Sequence, residues 1–203
     1  MALVTLKVPD IDCEHWETFL RRGGKPKKTR ETGRIPRQVK IDGRPEVINR
    51  RGRLGDFEGD TIVSSGKQGG IVTLVDRQSG YLLAGKLKDR TAARTRRKME
   101  KLLAPLPADK RHSATFDNGK EFSEHEALSR RLEISVYFAH PYCSWERGTN
   151  EHTNGLLRQY YPKGTDFADV SHHDLAQTVK SINDRPRKRH SYQTPSEIFS
   201  PQS

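Results

Sequence analysis

The chain has 203 residues, which is long enough for one domain with a substantial hydrophobic core. Hydrophobic residues make up only 32% of it, no apolar run approaches the roughly 18 residues that cross a bilayer, and the N-terminus lacks a signal peptide's apolar stretch, so the sequence excludes a membrane protein and argues against secretion. Its 37 Lys and Arg outnumber its 26 Asp and Glu, and the net charge of +11 indicates a polyanionic partner.

The N-terminal quarter of the chain carries much of the positive charge. Residues 1–55 contain 14 Lys and Arg against 7 Asp and Glu, and the basic residues of segment 21–30 stand among Gly and Pro without helical or strand periodicity. This composition predicts a basic N-terminal arm over residues 1–54, which is either a solvated linker or a contact for nucleic acid. The charge of the whole chain favours DNA, and the residues expected to bind it are Arg21, Arg22, Lys25, Lys27 and Lys28.

A compact α/β pattern begins at residue 55. Short apolar or β-branched runs, broken by Gly and Ser, predict a three-stranded meander at 57–64, 70–76 and 80–87. Apolar residues at helical spacing then predict a helix over 91–103, which ends before Pro105.

Helices and strands alternate in the rest of the chain. Strands are predicted at 112–116 and 134–138, and helices from Ser123 through Leu132, from Thr149 to Tyr161 and from Ser171 onward. Glu126 and Asp174 complete capping-box patterns with Ser123 and Ser171. The order of these elements predicts a mixed five-stranded sheet with helices against its faces over residues 55–203.

The cysteines indicate the redox compartment. The chain has two, Cys13 and Cys143, and no CxxC pair. This argues against a disulfide scaffold and against a structural zinc site, and it fits a reducing cytoplasm.

Three carboxylates stand out by their positions. Asp60 lies within the first predicted strand, Asp117 ends the fourth strand, and Glu151 lies in the first turn of the helix that begins at Thr149. Each also has a purely structural interpretation. Strand carboxylates commonly face solvent, D-N-G is a turn sequence, and a helix-surface Glu can pair with an Arg.

The helix from Thr149 to Tyr161 has two different faces. The face expected to pack on the core holds Thr153, Leu156, Leu157 and Tyr160, whereas the other holds Glu151, Asn154, Gly155 and Arg158. Glycine in mid-helix costs about 1 kcal/mol relative to alanine, so Gly155 predicts the close approach of another backbone.

Carboxylates from two strands and a helix suit a site for two divalent metal ions. Mg²⁺ prefers oxygen ligands, and a pair of ions can bind both the attacking and the leaving oxygen of a phosphodiester displacement. The hypothesis requires the first and fourth strands to be neighbours in the sheet, which the sequence alone does not show. Glu58, on the same strand face as Asp60, is an alternative ligand.

Four segments carry recognisable motifs: GDFEGDTI (55–62), TFDNGKEF (115–122), YFAHPYCSWERGTNEHTNGLLRQYYPKGTD (137–166) and NDRPRKRHSYQTPSEIF (183–199). In order over residues 16–199, the chain resembles the DDE transposases of the insertion-sequence family numbered thirty. The resemblance implies a catalytic core with the ribonuclease-H-like fold of retroviral integrases. It makes Asp60, Asp117 and Glu151 the catalytic, metal-binding acids, with 33 residues between the second and the third.

The same resemblance implies cofactors, partners and location. Two Mg²⁺ ions, for which Mn²⁺ can substitute, are expected at the acids. The expected partner is DNA, both transposon ends and target, held by a homodimer or a higher assembly. The resemblance further implies a cytoplasmic, nucleoid-associated prokaryotic protein without membrane contact.

The loop from His140 to Gly148 contains residues suited to unpaired DNA bases. Trp145, beside Arg147, is placed to stack on bases at a melted DNA end; the alternative is that it packs beneath the start of the following helix. Arg158 matches the basic residue that such enzymes use near the DNA end. Asn154 and Lys163 complete the expected DNA-binding set.

The N-terminal segment departs from the family pattern. Intact members carry a helix-turn-helix region before the catalytic domain, whereas the 54 residues before Gly55 are too basic and glycine-rich to supply one. We therefore expect a truncated or remnant transposase, or an unusual short form, that cleaves DNA and transfers strands in transposition, integration and recombination. The alternatives are a catalytically idle DNA-binding fragment that modulates intact transposase and a structure-directed nuclease of the same fold.

Overall fold

The computed structural model describes residues 35–66, 69–141 and 143–200. Its strands are β1 (Asp56–Val63), β2 (Gly70–Asp76), β3 (Leu82–Leu87), β4 (Ser113–Phe116) and β5 (Ser135–Phe138). Its α-helices are α1 (Glu46–Asn49), α2 (Ala92–Leu103), α3 (His125–Leu132), α4 (Gly148–Tyr160), α5 (His172–Asn183) and α6 (Pro195–Phe199). Among these described residues, no helix is both long enough and apolar enough to cross a membrane.

The described strands form a mixed five-stranded sheet of order β3-β2-β1-β4-β5, as the sequence predicts. β1 pairs antiparallel with β2, and β2 with β3, whereas β1 with β4 and β4 with β5 are parallel pairs. β1 and β4 are therefore adjacent strands, as the metal hypothesis requires. Their register pairs Glu58 with Thr115. Because the pair is parallel, Asp60 and Asp117, each two residues further along, lie side by side.

Side chains on the two faces of the sheet enter two separate hydrophobic clusters. Phe57 and Leu74 pack on one face with Met99 of α2, whereas Ile71 packs on the other face with Leu157 of α4. This division follows from the strand period of two, which sends successive side chains to opposite faces. Even-numbered β1 residues therefore face α4, and the polar ones among them meet that helix at the candidate site.

Residues 35–54 pack against this sheet, although the sequence analysis assigns them to the basic arm. The side chains of Ile35 and Ile48 are buried, and Lys40 pairs in parallel with Phe138 of β5. These isolated apolar anchors are inconspicuous in a strongly charged segment. The division of the chain at residue 54 stays a prediction, because residues 1–34 lie outside the described residues. All five arm residues expected to bind DNA lie there too.

The start of α3 differs from the predicted capping box. Residues Lys120–Phe122 form a 3-10 turn that ends at Ser123, so the helix begins at His125 with Glu124 as its N-cap and without a side-chain capping bond. By contrast, the capping box between Ser171 and Asp174 is confirmed. Helix α6, which the sequence analysis missed, has the same signal in Thr194 and Glu197.

Two predictions about α4 are wrong. Tyr160 is 42% exposed and Tyr161 is buried instead, because the helix ends at Tyr160 and the backbone turns at the next residue. A Cβ atom built on Gly155 meets no atom within 4 Å. Within the described residues, no backbone makes the close approach that the glycine was predicted to require.

Candidate active site

Asp60 and Asp117 lie together, and one guanidinium group bridges them. Arg147 places Nη1 3.6 Å from Asp60 Oδ2 and Nη2 3.5 Å from Asp117 Oδ2. Nη1 also donates a hydrogen bond of 3.3 Å to the carbonyl of Gly59. The side chain of Arg147 is only 12% exposed. Two of the three predicted catalytic acids therefore share a single buried cation.

Helix α4 runs along β1 and fixes the position of Asp60. Asn150 donates from its amide side chain to the carbonyl of Glu58 at 2.8 Å, and Asn154 donates to Asp60 Oδ2 at 3.0 Å. The four-residue step on the helix advances about 6 Å, and the two-residue step on the strand advances about 6.6 Å. The two elements therefore stay in register, so that the Asn150 amide meets the backbone of Glu58 and the Asn154 amide meets the carboxylate of Asp60. Thr73 of β2 holds Asn154 by donating to its Oδ1 at 3.1 Å.

Glu121 adds a carboxylate to this pair that the sequence analysis missed. Thr61 donates to Glu121 Oε1 at 2.6 Å. A Cβ atom on Gly119 would lie 2.7 Å from Glu121 Oε2 and 2.9 Å from Asp117 Oδ1, so both carboxylates flank that glycine. Glu121 lies in the 3-10 turn Lys120–Phe122, which follows the D-N-G sequence. There, buried Phe122 stacks on Phe116 and anchors the residue before it.

Glu151 shares a face of α4 with Asn154, one helical turn earlier. Its side chain is exposed, and it makes no hydrogen bond or ion pair with any other residue that the structure describes. Asn154 contacts Asp60, so Glu151 lies three residues, or about 4.5 Å along the helix axis, from a residue that touches the aspartate pair. The structure thus gathers Asp60 and Asp117 and leaves Glu151 beside them without contact.

The electrostatics of the site oppose the ionisation of Asp60. Burial raises the pKa of Asp60, the positive charge of Arg147 lowers it, and the negative charges of Asp117 and Glu121 raise it again. The net shift is upward. A cation placed among these oxygens would remove part of that penalty, because an opposite charge within a few ångströms favours the ionised carboxylate.

Glu58, the alternative ligand, does not belong to this group. Its side chain is fully buried and forms an ion pair with Arg77. Its Oε2 accepts a hydrogen bond of 2.9 Å from the backbone amide of Asn150 at the start of α4. Glu58 therefore links the strand to the helix and leaves Asp60 as the carboxylate of β1 that is partly open to solvent.

The predicted DNA-binding residues of the core differ in their surroundings. Trp145 is 72% exposed, so it does not pack beneath the start of α4. Arg158 donates from Nη1 to the carbonyls of Tyr161 and Pro162, at 3.4 and 3.3 Å, and so caps the end of its own helix. Lys163 is exposed beyond that end. Their contacts with DNA stay predictions.

The donor set of the site fits divalent metal ions. As arranged, no three Asp, Glu, His or Cys side chains among the described residues surround a common metal position. Asp60 and Asp117 nevertheless both lie close to the positively charged guanidinium of Arg147. Glu121 and Glu151 lie beside them. Oxygen-only carboxylate donors are those that Mg²⁺ and Mn²⁺ prefer.

Curated relatives of the chain are transposases of insertion sequences. The transposase of insertion sequence element IS4351 from Bacteroides fragilis is 42% identical over 193 residues, which are 89% of this chain and 57% of that protein. The transposase InsI of IS30A from Escherichia coli K12 is 38% identical over 200 residues, which are 98% of this chain and 51% of that protein. The homologues of the chain are thus transposases of the IS30 family and of other insertion sequences. The chain spans about half the length of these relatives. No family model matches it.

Solved structures show that this chain has the fold of retroviral integrase catalytic cores. The catalytic core of BIV integrase has a TM-score of 0.55 and 21% identity over 71% of this chain and 92% of that one. A chain of the simian T-cell lymphotropic virus intasome, solved in complex with PP2A regulatory subunit B56 gamma, has a TM-score of 0.61 and 21% identity over 74% of this chain and 55% of that one. The predicted ribonuclease-H-like fold is confirmed.

Proposed function

We propose that the chain is the catalytic part of a DDE transposase, which cleaves DNA at a transposon end and joins the freed 3′-hydroxyl to target DNA. The observation that carries the proposal is the pair of Asp60 and Asp117 beneath Arg147, on an integrase-type sheet. Relatives 38–42% identical that are named as transposases support it.

Three side chains would hold the cofactor. Asp60, Asp117 and Glu151 would bind two Mg²⁺ or Mn²⁺ ions, which when bound activate the attacking oxygen and stabilise the leaving oxygen. Asn154 keeps Asp60 in position through its 3.0 Å hydrogen bond. Glu121 increases the negative charge around the pair, and Arg147 offsets it. With metal bound at the acids, the Arg147 guanidinium would be free to bind a DNA phosphate.

DNA is the proposed partner, as transposon end and as target. Trp145 presents an exposed aromatic ring for unpaired bases. Arg147, Asn154, Arg158 and Lys163 surround the reacting end, and the arm residues Arg21, Arg22, Lys25, Lys27 and Lys28 add contacts that do not depend on sequence. A homodimer or higher assembly on the DNA, in the bacterial cytoplasm at the nucleoid, completes the proposal.

A cleavage and joining assay on the full chain tests the proposal. Supercoiled plasmid and a pre-cut transposon-end duplex are incubated with Mg²⁺ or Mn²⁺, with Asp117→Asn as the active-site variant and Asp109→Asn as the control. Asp109 is an exposed carboxylate outside the site, so both variants lose one negative charge. Asp117→Asn should lose about 100-fold or more of the activity, because even indirect partners of metal ligands account for 10- to 100-fold.

The products separate the competing functions. Joining of the transposon end to plasmid supports the transposase. Cleavage of branched or plasmid DNA without any joining would point to the nuclease. Tight binding with neither reaction, in both metals, would point to the idle fragment.

A further inference from the structure

A basic groove lies at the outer edge of the sheet, away from the aspartate pair. It has a volume of about 730 Å³ and runs between β3, the N-terminal part of α2 and residues 167–172. Its cationic lining residues are Lys86, Lys88, Arg94, Arg97, Lys98 and Lys101. Among the described residues that line it, none is Asp or Glu. β3 is two strands away from β1, about 10 Å across the sheet.

Helix α2 supplies four of these cations as one stripe. Arg94, Arg97, Lys98 and Lys101 follow the i, i+3, i+4, i+7 pattern of a single helix face, while Met99 and Leu103 are buried on the core side. The stripe advances about 10 Å along the axis. Arg94, Arg97 and Lys101 are exposed. The groove therefore presents an ordered row of positive charge.

Little of this row is neutralised within the chain. Arg94 pairs with Asp89 at 2.8 Å. Arg96, on the other side of α2, pairs with Glu100 and Glu124. Within the part of the chain that the structure describes, Arg97, Lys98 and Lys101 form no ion pair. Like charges one turn apart destabilise a helix, so folding alone gives no reason for the row.

The edge strand is shaped to accommodate one of these side chains. A Cβ atom on Gly85 of β3 would lie 2.6 Å from Lys98 Cδ. The glycine therefore leaves room for the Lys98 stem to cross the strand, and Lys98 lines the groove. This is a packing arrangement between strand and helix and is independent of the charge count.

We propose that this groove binds the sugar-phosphate backbone of duplex DNA, as a second contact separate from the active site. The proposal deepens the proposed function and rests on it for the identity of the polyanion. A row of cations of which Arg97, Lys98 and Lys101 form no ion pair among the described residues matches a phosphate backbone and carries no means of reading bases. A second copy of the chain is disfavoured as occupant, because a twofold interface would face these cations with themselves.

The test compares three double variants of the full chain. Arg97→Gln with Lys101→Gln removes two charges from the groove. Arg130→Gln with Arg131→Gln removes two exposed charges from α3 and is the matched control. Arg97→Lys with Lys101→Arg keeps the charge of the groove. The affinity for a labelled duplex without transposon sequences is measured against salt concentration, with circular dichroism as the check on folding. The single variant Lys101→Gln replaces the double one if the latter unfolds.

The salt slope is the slope of the logarithm of the binding constant against the logarithm of the salt concentration, and each phosphate contact contributes about 0.9 to its magnitude. The groove variant should therefore lose about 2 from this magnitude, whereas the control and the charge-keeping variant should match wild type. An unchanged slope in the groove variant would overturn the proposal, as would equal losses in the groove and control variants. A changed sedimentation coefficient with an unchanged slope would also overturn it, by making the groove a protein interface. Binding needs no catalysis. A chain that neither cuts nor joins DNA but shows the lost slope would refute the proposed function alone.

Discussion

Carboxylates along strand β1 lie in two very different settings: the first part of the strand, with Asp56 and Glu58, is here called its first or buried end, and the part from Asp60 onward, beside Asp117 after β4, its second or open end. At the first end, Asp56 and Glu58 are fully buried, and each is paired with an arginine. Asp56 also accepts a 2.6 Å hydrogen bond from Ser113. At the second end, the side chains of Asp60 and Asp117 are 27% and 38% exposed and share one guanidinium at 3.5–3.6 Å.

The difference separates a structural use of carboxylates from a chemical one. A carboxylate whose lone pairs are taken by close donors has no capacity for a ligand. One that is partly open, raised in pKa and loosely paired is stabilised when a further cation arrives. Strand β1 carries carboxylates of both kinds. What distinguishes them is the set of donors around each carboxylate, and not its position in the sequence.

The largest effect on stability is expected at the buried end. Arg77→Met leaves Glu58 buried without its counter-charge, so the free energy of unfolding should fall by about 3–5 kcal/mol. Urea denaturation measures it. The control, Arg50→Met, breaks the exposed pair with Glu46 and should cost less than about 1 kcal/mol. Equally small losses in the free energy of unfolding of both variants would contradict the proposed difference between the two ends.

At the open end, removing the negative charge of Asp60 should not destabilise the metal-free chain. Burial raises the folded pKa of Asp60, so the contribution of this group to stability is fully present below the unfolded pKa and is lost as pH rises through the folded pKa. Asp60→Asn should therefore leave the free energy of unfolding at neutral pH unchanged or slightly higher, and the wild-type decline above about pH 4 should flatten. A loss of stability as large as that of Arg77→Met would contradict this.

A smaller, pH-dependent effect is expected in the loop between β5 and α4. The hydrogen bond to Glu146, together with the charge of Asp42, raises the pKa of His140. The stabilisation from this raised pKa is complete below the unfolded pKa and is lost as pH rises through the folded value. Thermal unfolding followed between about pH 5 and 9 should show that decline in wild type and not in His140→Gln. Thermal stability that declines equally with pH in wild type and in His140→Gln would refute the assignment of this decline to His140.

The smallest effect on stability is expected at Trp145. Because its ring is 72% exposed, Trp145→Ala should change the free energy of unfolding by less than about 0.5 kcal/mol. Affinity for single-stranded DNA should fall by about 1–3 kcal/mol if the ring stacks on a base. Fluorescence binding titrations measure this, and affinity equal to wild type would leave the ring without that role.

The sequence predicts the elements of the sheet well because each one depends on local patterns. The run GIVTLVD gives β2 with its bounds unchanged, and the alternation of apolar residues places Phe57 and Ile62 on opposite faces. The pairing of β1 with β4 could not be read from the residues alone, since a parallel pair joins segments distant in the chain. Family resemblance, rather than spacing, selected Asp60 over Glu58.

The contacts of the candidate site were beyond sequence reasoning for the same reason. Arg147 was expected at DNA, yet its guanidinium lies between Asp60 and Asp117. Glu121 escaped notice because only the packing of the 3-10 turn after D-N-G turns it toward Thr61. Side chains that act through tertiary contacts leave no periodic signal in the sequence.

Direct titration of Mn²⁺ into the chain tests the central claim, that the open end of β1 binds divalent metal. Calorimetry would compare wild type, Asp117→Asn and Glu151→Gln with the control Asp109→Asn, whose exposed carboxylate lies outside the site. Asp117→Asn and Glu151→Gln should each weaken Mn²⁺ binding by about 10-fold or more, while Asp109→Asn should match wild type. Equal affinity in all four proteins would contradict the assignment of the metal site.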